Sequence, residues 1–212
     1  TRYEDYVMGT ANTGDFDYDQ AVAYPFGTNL SYSEFTYSNF EVTEGGTAEE
    51  PVYTVSVDVT NNGTMAGKKT VQVYMQKAYG DYNKQNNVEA ASVELAGFAK
   101  TDLIPAGETR TVSVEVSQRQ FASYDATSAK TYVLTGGDYY LAVADNAHDA
   151  VNNILAKKGY TPAKTDNRMD AEGNADIVSD AIKLEENTTK FAKSAATGND
   201  ITNQFEFADW NY

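Results

Sequence analysis

Cysteine is absent from the 212 residues, which removes disulfides, thiolate metal sites and cysteine nucleophiles at once, and with them any mark of the redox compartment. Histidine occurs once, as His148, with no relay partner beside it in sequence. General-base chemistry needs such a relay, so His148 reads as a surface residue. Basic side chains are scarce: 16 Lys and Arg face 31 Asp and Glu, a formal net charge of −15. That imbalance argues against nucleic acid or an anionic membrane surface as a partner, because a polyanion is repelled rather than steered in. No apolar run approaches the roughly 18 residues that a membrane-spanning helix needs. The N-terminus shows neither an initiator Met nor a charged-then-apolar leader, so the chain reads as a piece of a longer one.

What is present favours strands. Sixteen Tyr and nine Phe accompany many Val and Thr, and β-branched and aromatic side chains suit a pleated, half-buried surface. In Val52 to Thr60, Val55, Val57 and Val59 alternate with Thr54, Ser56, Asp58 and Thr60, the period of a strand with one wet face. Thr70 to Gln76 repeats the pattern with Val71, Val73 and Met75, and Arg110 to Val116 with Val112, Val114 and Val116. Ser92 to Phe98, Phe121 to Tyr124, Thr131 to Leu134 and Asp138 to Val143 bring the expected number to about seven. Between them, Asn61-Asn62-Gly63 offers positive-φ residues for a tight reversal and Ile104-Pro105-Ala106-Gly107 has the Pro and Gly of a type I turn. Turn signals every dozen or so residues, with no intervening helix of 10–15 residues, indicate an all-β antiparallel sandwich.

The flanks differ. Residues 1–47 are expected to form an extended arm, 48–146 the sandwich, and 147–212 a partly helical, partly irregular C-terminal extension. In the last of these, Asn146 caps a short helix, Ala147, Val151, Ile154 and Leu155 mark its apolar face, and Gly159 stops it. Thr161 to Asp176 is low in apolar content and reads as a mobile loop. Ile182, Leu184 and Phe191 fit an edge strand and its sequel. Asp15-Phe16-Asp17-Tyr18-Asp19 alternates carboxylates, but it lacks the Gly and the bidentate Glu of a calcium loop and reads as a solvated acidic stretch. No metal site or cofactor site is expected.

The most specific run is Tyr24-Pro25-Phe26-Gly27-Thr28-Asn29-Leu30-Ser31-Tyr32-Ser33-Glu34-Phe35-Thr36-Tyr37. A Pro-aromatic-Gly turn followed by spaced large rings pins a connecting segment by burying those rings at low entropy cost. The expectation is that Tyr24, Phe26, Leu30, Tyr32, Phe35 and Tyr37 pack the arm against the sandwich or a neighbouring domain. The run resembles the segment through which family 3 glycoside hydrolases, β-glucosidases and their relatives, leave an α/β domain and enter a C-terminal fibronectin type III-like domain. Val59 to Gly67, Val71-Gln72-Val73-Tyr74, Glu94-Leu95-Ala96-Gly97-Phe98, Leu103 to Glu108, Phe121-Ala122-Ser123-Tyr124-Asp125 and Gly137-Asp138-Tyr139-Tyr140 resemble that domain's later landmarks in order. Asn29 stands where the family has a second Gly, and Asn tolerates a left-handed backbone.

The resemblance implies an immunoglobulin- or fibronectin-like sandwich with a preceding α/β domain, and it implies no catalytic residue in this chain. The family's nucleophile belongs to a separate barrel. Asp209-Trp210 lacks the apolar strand and the Ser that come before that Asp, and a lone carboxyl does not meet the two-carboxyl demand of a retaining glycosidase. The tail Asp200 to Asp209 resembles a connector to a following barrel. The partners implied are the catalytic domains of the same parent chain, and the function implied is structural. The alternative is an independent carbohydrate-binding or adhesion sandwich. For that reading the long loop Lys77 to Asn87 supplies Tyr79 and Tyr82, whose rings can stack on sugar C–H faces while neighbouring amides bond hydroxyls.

Overall fold

The computed structural model describes residues 22–165 and 169–201. The acidic stretch at 15–19, Asp209-Trp210 and most of the 200–209 tail lie outside the described residues.

Two antiparallel sheets share one core. The first has the order β1-β2-β5, from Phe35–Gly46, Pro51–Asn61 and Thr109–Ser117. The second has the order β4-β3-β8-β9, from Glu94–Lys100, Thr70–Gln76, Gly137–Ala144 and Ile182–Leu184. Val55, Val57 and Val59 of β2 and Val71, Val73 and Met75 of β3 fall in a single buried cluster that joins the two layers. Along β2 the alternation is complete, each inward residue buried and each outward one half-exposed. Buried Val55 lies opposite buried Val114 of β5, and buried Val57 opposite half-buried Val112, so the core residues of β2 also meet cross-strand partners. Burying one such valine is worth about 1.5–3 kcal/mol.

A smaller sheet, β10-β7-β6, is built from Asn187–Phe191, Thr131–Leu134 and Ser123–Asp125. Near it, Phe121 stacks between Tyr53 and Tyr139, with ring centroids 5.2 Å apart on each side. Gln118 donates to the Tyr53 hydroxyl, and the Tyr139 hydroxyl donates to Thr135 O at 2.8 Å, the link of a tyrosine corner. Burial pushes the Tyr139 phenol up to about 12, which keeps it a donor.

The first strand corrects the boundary expected at 47: the sheet begins at Phe35, inside the presumed arm. Phe35, Tyr37, Phe40 and Val42 all pack toward the core. Their spacing slips by one residue because the register shifts between Ser38 and Glu41, where Asn39 takes a left-handed φ of 51°. Such a bulge hides a strand from any strict period-2 reading. The reversal expected at Asn61-Asn62-Gly63 is corrected as well. None of these three has a positive φ, and the chain crosses from one sheet to the other. Buried Asn61 organises the crossover, donating to Met65 O and Ile104 O while accepting from Gly63 N.

Among the described residues, two α-helices accompany the strands: α1, Asp81–Asn86, and α2, Ala147–Lys157. Asn146 caps α2 as expected, its side chain accepting from Asp149 N. The buried face is rotated from the expected one: Ala150, Asn153 and Ile154 point inward, while Val151 and Leu155 are half-exposed. Asn153 spends its amide on Val143 O and Asn174 N. The loop reading of Thr161 to Asp176 also needs correction in its described part. Met169 is fully buried, and Asp170 accepts from Asn152 at 2.7 Å and meets His148 Nε2 at 2.8 Å. His148 therefore has a carboxylate partner that its sequence neighbourhood did not reveal.

Candidate functional site

The segment before β1 is held by its backbone. Gln72 Nε2, on the outer face of β3, donates to Gly27 O at 3.0 Å and to Asp145 O at 2.9 Å. Ala147 N, in the first turn of α2, donates to Phe26 O at 2.8 Å. Tyr74 Oη has one proton, which goes to Gln72 Oε1 at 2.9 Å, with Phe26 O a longer approach at 3.3 Å. Burial, reinforced by the charges of Asp149 and Asp145, pushes the Tyr74 phenol up to about 12, so the donor persists at neutral pH.

Gly27 is required at this clamp for two separate reasons. Its φ is +90°, and a Cβ there would fall 2.2 Å from Tyr74 Oη and 2.4 Å from Gln72 Oε1. Thr28 N closes the turn on Pro25 O at 3.1 Å. Asn29, standing where the resemblance has a second Gly, is not left-handed, so the tolerance expected of it is not called upon.

Further along, Ser33 Oγ donates to Met65 O at 2.8 Å, and Asn62 N donates to Glu34 O at 2.8 Å. The arm then enters β1 beside a half-buried ionic cluster. Lys69 Nζ lies 2.9 Å from Asp145 Oδ1 and about 6 Å from the ring centres of Phe35 and Tyr37. The Tyr37 hydroxyl donates to the same Asp145 oxygen at 2.7 Å. Burial first, and the adjacent Asp145 charge second, raise the Tyr37 phenol far above its ordinary value.

Against this frame the six arm residues divide. Phe35 and Tyr37 pack on the sandwich core. Tyr24 and Phe26 are 74% and 66% exposed, and Leu30 and Tyr32 are 93% and 101% exposed. Of the two places expected for these six, the sandwich receives only Phe35 and Tyr37; hydrogen bonds at Phe26 O, Gly27 O and Ser33 Oγ hold the arm, and the other four large apolar side chains face outward. Gln72 and Tyr74 escaped the sequence reading because they occupy the nominally wet face of an alternating strand. An aromatic on that face was the available signal.

The two loop tyrosines also part company. Tyr79 is 56% exposed. Tyr82, on α1, is half-buried and donates to Asp125 Oδ2 at 2.6 Å. Asp125 is fully buried and also accepts from Thr127 N, Ser128 N and Ala129 N at 2.8–3.0 Å. Burial alone would raise this carboxyl, but the Tyr82 hydroxyl and three backbone N–H groups outweigh it and hold Asp125 below the usual carboxylate range.

Residues 69–147, from β3 to the start of α2, match the fibronectin type III-like domain family. β-Glucosidase B of Emericella nidulans is 34% identical over 165 residues, which cover 76% of this chain and 17% of that enzyme. Thermostable β-glucosidase B of Acetivibrio thermocellus is 34% identical over 128 residues, 60% of this chain and 16% of that enzyme. A solved β-glucosidase from Paenibacillus barengoltzii superposes with a TM-score of 0.53 at 31% identity, covering 61% of this chain and 14% of that one. The fold and these matches define a fibronectin type III-like β-sandwich. The chain is similar to the non-catalytic region that carries this domain in β-glucosidases of glycoside hydrolase family 3, and it spans only 16–17% of the length of the two curated relatives.

Proposed function

We propose that this chain is a structural domain of a larger glycoside hydrolase that cleaves O-glycosyl bonds, β-glucosides foremost, and that it holds the catalytic domains of the same polypeptide in register. The observation that carries this reading is the clamped arm. Tyr24, Phe26, Leu30 and Tyr32 are presented outward on a backbone whose position does not depend on burying them. Exposed aromatic and aliphatic side chains on a pre-ordered segment lose little entropy when covered, which is the economy of a docking face. The consequence for catalysis is geometric. A retaining glycosidase needs two carboxyls about 5 Å apart, and a misplacement of about 1 Å can cost ~100-fold in rate.

The test has two arms. The purified 212-residue chain is expected not to hydrolyse a nitrophenyl β-glucoside above a denatured control, and measurable turnover would overturn the non-catalytic assignment. In the full-length parent, Leu30→Ser combined with Tyr32→Ser is expected to lower the melting temperature and kcat. Unchanged values for both would remove the docking role.

A further inference from the structure

We propose that the groove between the β3–α1 loop and the β7–β8 turn is a contact site for a neutral oligosaccharide, a role additional to the structural one. The groove encloses about 610 Å³, within the range of small-ligand sites and enough for a few sugar rings. Its lining includes Tyr79, whose side chain is exposed, together with Asp138, Lys158, Gln76 and Ser92. Gly136 and Gly137 also line it. Gly137 has a φ of +139°, and a Cβ there would come within 2.9 Å of Ala78 Cβ, so a side chain at this point would crowd the β3–α1 loop opposite.

Two of the polar groups, Lys158 and Gln76, are held in place. Lys158 Nζ sits 4.6 Å from the centre of the Tyr140 ring and bonds to Gln76 Oε1, while Gln76 Nε2 donates to Ser92 O at 3.0 Å. Lys158 keeps further N–H donors beyond these contacts, and Asp138 brings a pure acceptor to the same groove. A donor and an acceptor lining one groove match the hydroxyls of a pyranose, and the Tyr79 face matches its C–H surface. The local charges offset one another, while the chain as a whole carries −15, which disfavours a polyanionic ligand. The mixed lining also differs from the apolar slot a lipid chain requires. Tyr82 takes no part, because its hydroxyl is committed to Asp125.

Titration calorimetry of the 212-residue chain with cellotetraose and with xylotetraose tests the proposal. Saturable heat is expected with at least one of them. Tyr79→Ala should weaken binding at least about tenfold, equivalent to about 1.4 kcal/mol, without moving the melting temperature, since the ring is exposed. Asp138→Asn should weaken it several-fold, and Tyr82→Phe should leave it unchanged. Absence of saturable heat with both sugars at millimolar concentration overturns the proposal, as does undiminished binding by both Tyr79→Ala and Asp138→Asn.

Discussion

Strand β2 and the arm that precedes β1 solve the same problem, fixing a segment in space, by opposite means. In β2 the side chains do the fixing: Tyr53, Val55, Val57 and Val59 are all buried, and the ladder to β5 follows the register that their burial imposes. In the arm, carbonyls do it. Phe26 O and Gly27 O are gripped by Ala147 N and Gln72 Nε2, while Phe26 itself turns outward. The difference shows where surplus apolar surface on this molecule comes from. A segment positioned through its backbone has side chains left over, and exposed rings on such a segment are candidates for contact with something else.

Within the core, the largest loss is expected from Phe121→Ala. The ring is 1% exposed and stacked on both faces, so its removal should cost about 3–5 kcal/mol. Chemical denaturation of the isolated chain should show a lower midpoint with an unchanged slope.

Next in size is Asp125→Ala, which removes the buried acceptor that three backbone N–H groups and the Tyr82 hydroxyl share in a part-buried site. A loss of about 3 kcal/mol is expected at neutral pH. Because the folded carboxyl lies below its unfolded value of about 3.9, its stabilising contribution is complete above that value. It fades as pH falls through the folded pKa. The gap between wild type and Asp125→Ala should therefore be widest near neutrality and narrow below about pH 4. A gap that widened in acid would contradict the carboxylate's role.

These two positions also show what a sequence can reveal. Strands β2, β3 and β5 were legible because valines on a one-sided surface leave a period of two, while β4 and β6 to β8 showed only short β-branched or aromatic runs between turn signals, and Pro105 and Gly107 mark their own turn. The strand β1 was not, since a single left-handed residue, Asn39, shifts Phe40 and Val42 out of phase with Phe35 and Tyr37. Tyr24, Phe26, Leu30 and Tyr32 were recognisable as unusual, yet their direction was not, because Gln72 and Tyr74 hold the arm from a strand some 45 residues away. Contacts of that range leave no local pattern. The same holds for His148 and Asp170, which meet although they are 22 residues apart in sequence.

Gly27→Ala attacks the clamp alone. The substitution demands a left-handed alanine and drives a methyl group into Tyr74 Oη and Gln72 Oε1, a local cost of about 1–3 kcal/mol. Its signature is regional. Hydrogen exchange at Ala147 N, which donates to Phe26 O, should accelerate, while the amides of β2 and β5 keep their protection. Loss of protection throughout the sandwich would mean that the arm and the core are one cooperative unit and that the contrast drawn between them fails.

The smallest effect is expected where the exposed surface is largest. Leu30→Ser with Tyr32→Ser removes two side chains that are 93% and 101% exposed, so the isolated chain should melt at an unchanged temperature. The neighbouring change Phe35→Ser provides the contrast, because Phe35 packs on the core and its loss should destabilise the isolated chain outright. A drop for Leu30→Ser with Tyr32→Ser in the isolated chain would show that these side chains support their own domain, and the docking face would then lose its argument. With the isolated chain unaffected, any loss of stability in the parent enzyme must arise from contact with the rest of that polypeptide, which is the quantity that separates a face kept free from one that is merely uncovered.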